Sequence, residues 1–368
     1  MTALHDQYRR LLAEGIVPFW MRSLDHEFGG VFSCMSEDGA ILSTEKYTWS
    51  QARFAWTLSA LYNRFEPRPE FIAHARKTID FLLKHGRDAR GRFVYRTTRE
   101  GVPLEGATSI YSDCFVAYGI NEYCRAVPDD GLRRAADEIL RRVKLRVEEP
   151  DFSETAPYVL PPGRRAHGLP MILIEVTGED PYPRLVMDRF VRPERRLLVE
   201  FLTRDYKELP GSEGTFVNPG HAIESMWFVM HWAQRRGDRE MIGRASEVLQ
   251  WHLEAGWDRE YGGIFLGIDA EGGIPFLPHS DKKMWWPHTE ALYALLLAYR
   301  LTGERWCMEW YWRVHEWSFA HFPMREAGEW RQRLDRQGRP TTEVVALPVK
   351  DPFHLPRAVM LILELLKK

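Results

Sequence analysis

The sequence predicts an all-α fold in which helical hairpins close into a ring, with short β-hairpins at one rim. Apolar residues recur at the i, i+3, i+4 and i+7 spacing of helices with one buried face in residues 53–65, 109–125, 132–147, 221–235, 239–255, 289–301 and 354–366. A motif also recurs between such segments. Self-similar helical units of this kind bury their apolar faces by stacking on their neighbours.

The recurring motif has the pattern Asp-x-Glu-aromatic-Gly-Gly-aliphatic-Phe. Residues 25–32 read DHEFGGVF and residues 258–265 read DREYGGIF, at an offset of 258 − 25 = 233 residues. Paired glycines, alternating apolar residues and a following turn predict a short β-hairpin in each copy. Weaker versions of the hairpin signal occur at residues 91–101 and 328–338.

The repeat and the length of the chain suggest different numbers of domains. A length of 368 residues by itself suggests two domains, but no low-complexity linker divides the chain. We therefore expect residues 1–368 to form a single catalytic domain, a toroid of six helical hairpins in two concentric layers. An open α-solenoid is the alternative, and it explains the helices but not the aromatic, histidine-bearing loops between them.

The composition argues against several classes of protein. The net charge is −2 and no basic run of the kind that binds phosphates is present, so we expect no nucleic-acid partner. No stretch of about 18 apolar residues predicts a membrane span, and the first 15 residues read as a charged amphipathic helix rather than a signal peptide. Four cysteines without CxxC spacing fit a reducing, cytoplasmic environment.

His221 is the first candidate for proton transfer. The segment Asn218-Pro219-Gly220 predicts a capped helix start, so His221 lies in the first turn, and Glu224 shares its helix face at i+3. The helix N-terminus disfavours extra positive charge and Glu224 favours it, a balance that suits acid–base work near neutral pH. The alternatives are a structural histidine bonded to a carboxylate and a metal site. We disfavour the metal site because no second His or Cys stands nearby at ligand spacing.

His354 precedes the last predicted helix. Alone it would more often be structural, but on a ring it would occupy a rim position equivalent to that of His221. Two imidazoles facing one pocket could remove a proton from one side of a carbon and return it on the other. Such chemistry is that of an epimerase, and it needs neither a metal nor a redox cofactor.

Aromatic side chains surround the other candidates. Trp49, Arg53 and Trp56 share one helix face, so the guanidinium could hold a sugar oxygen that becomes negative in a transition state. The alternative for Arg53 is cation–π packing on the indole rings.

A second aromatic cluster contains Trp285 and Trp286, predicted just before a helix, and Glu290, predicted in its first turn. These residue types suit stacking on a sugar ring and hydrogen bonding to hydroxyls, with plain core packing as the alternative. Tyr111 is a weaker candidate at another helix start, where Asp113 is expected to act as the cap.

Six motifs in this order resemble the N-acylglucosamine 2-epimerase family over nearly the whole chain. They lie at residues 29–34, 46–56, 218–224, 283–291, 328–330 and 353–357. The resemblance implies an (α/α)6 barrel and reversible 2-epimerisation of an aldose such as N-acetylglucosamine or N-acetylmannosamine. Relatives in the superfamily act on cellobiose or on free mannose, glucose and fructose.

The resemblance also implies a role for each matching residue. His221 and His354 match the two general acid/base residues, Arg53 the arginine that faces O1 and O2 of the sugar, and Glu224 the carboxylate that orients the first histidine. The resemblance or the residue types above also predict that a further set of residues binds the substrate, namely Trp49, Tyr111, His167, Trp285, Trp286 and Glu290.

Two departures from the family pattern concern the substrate. Free-sugar relatives carry a histidine in a mid-chain helix where this chain has Ile172, as in the N-acyl branch, and His167 lies several residues upstream as a candidate replacement. The N-acyl branch tends to place an arginine shortly before the Asn-Pro-Gly-His motif, where residues 214–217 read GTFV.

Several alternatives remain open on the sequence. Return of the proton to C1 would make the protein an aldose–ketose isomerase. Either such an isomerase or a 2-epimerase could act on free mannose, glucose or fructose or on a disaccharide. A glycoside hydrolase on the same barrel would use a pair of carboxylates, and a non-catalytic sugar-binding protein would keep the aromatic cleft. No cofactor is required in the epimerase scheme, while a nucleotide effector and a homodimer are both compatible with the resemblance.

Overall fold

The computed structural model describes residues 2–155, 158–345 and 347–367. In chain order its α-helices are α1 (Thr2–Arg10), α2 (Val17–Met21), α3 (Thr48–Arg64), α4 (Pro69–His85), α5 (Ile110–Ala126), α6 (Asp130–Arg146), α7 (Gly168–Thr177), α8 (Pro181–Leu185), α9 (Gly211–Thr215), α10 (Pro219–Arg236), α11 (Arg239–Gly256), α12 (Trp285–Thr302), α13 (Arg305–His321) and α14 (His354–Lys367). Turns of π-helix at Leu11–Ile16 and Val186–Phe190 continue α1 and α8.

The strands are two or three residues long. They are β1 (Lys46–Tyr47), β2 (Arg96–Thr97), β3 (Pro103–Glu105), β4 (Arg164–Ala166), β5 (Val191–Arg192), β6 (Leu197–Leu198), β7 (Phe201–Thr203), β8 (Phe216–Val217), β9 (Ile268–Asp269), β10 (Lys283–Met284), β11 (Pro323–Met324), β12 (Glu329–Trp330) and β13 (Arg333–Leu334). The antiparallel pairs include β1 with β2, β2 with β3, β4 with β7, β8 with β9 and β10 with β13. Such short ladders join helices rather than form a sheet core.

All seven predicted helical segments lie in helices, but some boundaries differ. Trp285 and Trp286 were expected before a helix, and this was wrong: they are the first two residues of α12, which puts Glu290 in the second turn. Pro287 is compatible with this earlier start because the first turn of a helix needs no backbone N–H donor. Among the described residues, no helix is both long and apolar enough to cross a membrane.

Helices α4 and α13 were not predicted because polar residues interrupt their buried stripes. The buried positions of α13 include His315 and Ser318, and those of α4 include His74 and Thr78. Each of these side chains lies on the same helix face as buried apolar residues. Each helix therefore has one continuous buried face, but that face is not apolar throughout.

The Cα positions group the chain into two compact units. The first unit comprises Met1–Pro162, Met324–Glu329 and Ala346–Glu364, and the second comprises Gly163–Pro323, Trp330–Val345 and Leu365–Lys368. In the first unit α3 packs against α4 and α5, and α5 packs against α6. In the second unit α10 packs against α7, α11 and α12, and α12 packs against α13. The expectation of a single domain stays a prediction.

The two copies of the repeat adopt the same local structure. A β-bridge joins Leu24 to Val31 in one copy and Trp257 to Ile264 in the other, so each copy is a tight closed loop rather than an extended ladder. The double glycine is needed for this loop. Gly30 has φ of 86°, and a Cβ atom there would lie 2.2 Å from Oε1 of Gln51, which only glycine avoids.

A buried ion pair anchors each loop. Nζ of Lys46 lies 2.9 Å from Oδ2 of Asp25, and Nζ of Lys283 lies 3.1 Å from Oδ2 of Asp258. All four side chains are almost completely buried. Burial lowers the pKa of Lys283 to about 8 despite the neighbouring carboxylate. Each lysine also begins the short strand, β1 or β10, that leads directly into α3 or α12, so the pair fixes where those helices start.

Removal of one of these charges should destabilise the protein. Asp258→Asn leaves the buried Lys283 ammonium without its counter-charge, and we expect a loss of about 3–5 kcal/mol in the free energy of unfolding. Asp258 pairs in addition with the partly exposed Arg336, 3.0 Å from its Oδ2. The control is therefore Glu260→Gln, because the largely exposed Glu260 pairs with the same arginine, and an exposed pair contributes about 0–1 kcal/mol. Urea denaturation followed by tryptophan fluorescence measures both variants, and equal shifts of their midpoints would contradict the assignment.

Candidate active site

His221 lies in the first turn of α10, as predicted. Oδ1 of Asn218 accepts a hydrogen bond of 3.0 Å from the backbone N of His221 and caps the helix. The His221 side chain is 20% exposed, and its ring centroid lies 5.3 Å from that of Trp286. Gly220 permits this contact, because a Cβ atom at that position would lie 2.5 Å from the Trp286 ring. An accessible imidazole beside a half-buried indole is therefore present in the second unit.

A buried carboxylate stands next to the His221 ring. Oε1 of Glu200, a residue between β6 and β7, lies 3.0 Å from Nδ1 of His221. Burial disfavours the charged form of Glu200. The charge of His221, its hydrogen bond and the nearby His167 ring outweigh this cost and hold the pKa of Glu200 well below its ordinary value. The site therefore contains a carboxylate–imidazole pair.

His167 lies in the same network and is completely buried. Its Nδ1 lies 3.5 Å from Oε2 of Glu200, and its Nε2 lies 2.6 Å from Oγ of Ser225 on α10. Burial lowers the pKa of His167, against the opposing effect of the Glu200 carboxylate. The structure thus places His167 against Glu200 and away from solvent, and its proposed contact with a sugar stays a prediction.

The other candidates of the second unit are more buried than Trp286. Glu224 lies one turn after His221 and is 6% exposed, and Trp285 is 7% exposed. Oε2 of Glu290 accepts a hydrogen bond of 2.8 Å from Nε1 of Trp227. One oxygen of this carboxylate is therefore engaged within the helix packing.

In the first unit Arg53 sits in an aromatic cage. Its Cζ lies 4.1 Å from the ring centroid of Phe115, 5.0 Å from that of Trp49 and 5.1 Å from that of Phe353. Nη1 lies 2.9 Å from Oδ1 of Asp351, which is almost completely buried. The cation–π packing that the sequence offered as the alternative is therefore present, while the contact of this guanidinium with a sugar oxygen stays a prediction.

Asp351 also connects Arg53 to the second candidate histidine. Its Oδ2 accepts hydrogen bonds from the backbone N of Phe353 at 3.1 Å and of His354 at 2.8 Å, at the start of α14. Burial disfavours the charge on Asp351, but the charges of His354 and Arg53 and these hydrogen bonds keep its pKa below the ordinary value. Nη2 of Arg357 lies 3.4 Å from Nδ1 of His354. His354 itself is 6% exposed.

Tyr111 lies in the first turn of α5 and is half-buried. The cap of this helix is Ser109, whose side chain accepts a hydrogen bond from the Tyr111 backbone N, so the expectation that Asp113 is the cap was wrong. Asp113 instead accepts a hydrogen bond from the backbone N of Phe93. Burial raises the pKa of Asp113 to about 6.

Sequence reasoning missed Glu200 and Asp351. Glu200 is the only charged residue in the run Leu-Leu-Val-Glu-Phe-Leu at residues 197–202. A lone carboxylate in an apolar run is a signal for a buried, partnered charge. Asp351 stands three residues before His354 and just before a proline, which is the signal of a helix cap.

In the sequence, no second His or Cys lies near His221, and this argued against a metal site. In the fold, however, residues of metal-binding types do lie next to His221. The ligand atoms of His167, Glu200 and His221 lie within 4.8 Å of one another. However, the 3.0 Å contact between Glu200 and Nδ1 of His221 has the length of a hydrogen bond. We therefore interpret this cluster as a hydrogen-bonded network.

Comparison with known proteins identifies the fold. The structure of cellobiose 2-epimerase from Bacillus thermoamylovorans superposes with a TM-score of 0.84 at 17% sequence identity, over 99% of this chain and 100% of that one. The predicted (α/α)6 barrel is confirmed by this similarity.

Sequence comparison identifies the family. The profile of the N-acylglucosamine 2-epimerase (GlcNAc 2-epimerase) family matches residues 30–357. The N-acylglucosamine 2-epimerase of Bos taurus is 32% identical, over 100% of this chain and 92% of the bovine protein. The cellobiose 2-epimerase of Bacteroides fragilis is 24% identical, over 91% of this chain and 92% of the other. The chain therefore belongs to the N-acylglucosamine 2-epimerase family and is an enzyme of the isomerase class.

Proposed function

We propose that this protein is a 2-epimerase of N-acylated hexosamines, of the N-acetylglucosamine and N-acetylmannosamine type. The observation that carries the proposal is the accessible His221 imidazole, hydrogen-bonded to buried Glu200 and adjacent to Trp286. The choice of an N-acylated sugar is supported by the higher identity to the bovine N-acylglucosamine 2-epimerase, 32%, than to the Bacteroides cellobiose 2-epimerase, 24%. Ile172, where free-sugar relatives have a histidine, agrees with this choice.

The proposed reaction begins with opening of the pyranose ring. One of the two imidazoles, His221 or His354, accepts the proton from C2, and the electron pair left by the C2–H bond forms a double bond between C1 and C2. The negative charge moves to O1. The other imidazole then donates a proton to C2 from the opposite face, which gives the C2 epimer and restores the C1 carbonyl.

Arg53 is the proposed donor to the negative oxygen. Its guanidinium is always charged, and the Asp351 ion pair together with the aromatic cage fixes its orientation before substrate binds. A preorganised donor to an oxyanion typically contributes about 3–4 kcal/mol to transition-state stabilisation. The surrounding rings lower the local dielectric and strengthen this interaction.

The remaining candidates have proposed roles in binding. Trp286 and Trp49 are half-buried indoles that offer a face to the sugar ring, and Tyr111 offers a hydroxyl from the first turn of α5. Hydrogen bonds to sugar hydroxyls are proposed for Glu224 and Glu290, with Trp285 behind Trp286 in the wall.

Incubation of candidate sugars in deuterated water tests the reaction. We expect N-acetylmannosamine to give N-acetylglucosamine with deuterium at C2, because the incoming proton comes from a solvent-exchanged imidazole. The panel also includes mannose, glucose, fructose and cellobiose, with chromatography and nuclear magnetic resonance as readouts. Appearance of a ketose without any C2 epimer would reject epimerisation and identify an aldose–ketose isomerase.

Substitution of each histidine tests the two-base scheme. His221→Gln and His354→Gln should each lower kcat roughly 10²–10⁴-fold, the usual contribution of an acid–base residue. Each variant should still exchange the C2 hydrogen of one epimer with solvent, because one base remains. His5→Gln is the control, since His5 lies on α1 and is partly exposed. Near-wild-type turnover by either site variant would contradict the scheme.

Dialysis against a chelator tests the proposal that no metal takes part. We expect ethylenediaminetetraacetate to leave kcat unchanged, because Nδ1 of His221 is engaged in a hydrogen bond with Glu200. Loss of activity on dialysis, with recovery on addition of a divalent cation, would contradict this proposal, and His167, Glu200 and His221 would then be candidate ligands.

A further inference from the structure

We propose that Glu200 is the positioning residue of His221: it holds the hydrogen on Nδ1, so that Nε2 is the atom that exchanges a proton with the substrate. The part of this inference that concerns catalysis rests on the proposed function. The part that concerns the tautomer of His221 is a property of the protein alone.

The tautomer follows from the hydrogen-bonding capacity of the two groups. The neighbouring imidazoles hold the pKa of Glu200 below its ordinary value, which favours the ionised form, and an ionised carboxylate only accepts hydrogen bonds. Its Oε1 lies 3.0 Å from Nδ1 of His221, so Nδ1 carries a hydrogen. The neutral ring then has its lone pair on Nε2, as a base requires. When Nε2 accepts a proton, the adjacent carboxylate stabilises the imidazolium.

The position of Glu200 is itself fixed from several sides. Its carbonyl oxygen accepts a hydrogen bond of 2.8 Å from the backbone N of His167, and its own N donates to the carbonyl oxygen of Phe216. Nδ1 of His167 faces the second carboxylate oxygen, and Nε2 of His167 contacts Ser225.

Ser225, the contact of His167, lies one turn after His221 on the same helix, α10. The chain of contacts therefore runs from His221 through Glu200 and His167 back to α10. Both ends of this chain of contacts are on one helix, so Glu200 lies between two imidazoles that are each held in place by α10. This arrangement assigns His167 a role in support of Glu200 and gives Glu200 the orienting role that the sequence suggested for Glu224.

Nuclear magnetic resonance of protein labelled with nitrogen-15 histidine tests the tautomer directly. The ring signals of His221 are assigned by their loss in His221→Gln. At a pH where the ring is neutral, we expect Nδ1 to be protonated and Nε2 unprotonated. In Glu200→Met, which has no acceptor, we expect signals of the Nε2–H tautomer to appear. An unprotonated Nδ1 in the wild-type protein would overturn the proposal, whatever the substrate of the enzyme.

Steady-state kinetics tests the consequence for catalysis. Glu200→Gln should lower kcat roughly 10²–10⁴-fold and leave KM nearly unchanged, because the residue acts through His221 and not on the sugar. Glu213→Gln is the matched control: Glu213 is a partly buried carboxylate of the same unit, paired with Arg164, and its loss should leave kcat unchanged. Equal kcat values in both variants and wild type would overturn the catalytic part. If the wild-type protein epimerises no sugar of the panel, the proposed function fails and the tautomer measurement still decides the role of Glu200.

Discussion

A carboxylate removed from water must be given cationic or hydrogen-bonding partners, and this constraint organises both units of the protein. Asp25 and Asp258 each meet this requirement with a buried lysine at the start of a strand that leads into a helix. Asp351 meets it with Arg53 and with backbone N–H groups at the start of α14, and Glu200 meets it with the two imidazoles next to it. Because a lone buried charge is costly, each carboxylate fixes the position of the groups that satisfy it.

The two kinds of buried carboxylate have different consequences. The lysine partners of Asp25 and Asp258 are buried, and each carboxylate also pairs with a partly exposed arginine, Arg99 or Arg336. These ion pairs hold loops and helix starts in place. The partners of Glu200 and Asp351 include side chains that are partly exposed, since His221 is 20% and Arg53 is 17% exposed. An accessible cation or imidazole with a fixed orientation can act on a ligand without reorganisation at the moment of reaction. The same electrostatic requirement thus supplies both stability and a preorganised site.

The two copies of the repeat have the same loop, but different residue types form the hydrogen bond between each loop and the helix that follows. Lys46 and Lys283 occupy the same place relative to their loops, and the helices that follow carry Gln51 and His288 at equivalent positions, 46 + 5 = 51 and 283 + 5 = 288. Gln51 accepts a hydrogen bond from the backbone N of Val31, and His288 accepts one from that of Ile264. His288, the histidine of the motif at residues 283–291, is therefore a buried structural residue. It accepts a hydrogen bond from the loop of the second unit, as the side-chain amide of Gln51 does in the first unit.

Predictions from the sequence succeeded where the signal is local. The Asn218 cap and the first-turn position of His221 depend on neighbouring residues, and the structure has both. Predictions failed where several local interpretations compete. Asp113 and Ser109 are both good caps, and only the backbone conformation selected Ser109. The helix start at Trp285 was also missed, because tryptophan and proline in a first turn give no apolar periodicity.

The sequence by itself determined the helix pattern, the duplicated loop and the identity of the family, because each depends on residue order over short stretches or on the order of motifs. Only the tertiary structure decided which groups meet. Glu200 lies 21 residues from His221 and Asp351 lies 298 residues from Arg53, and no periodicity connects residues at such separations. The physical reason is that a buried charge selects its partners through space, from whichever segments the packing of the helices brings within hydrogen-bonding distance.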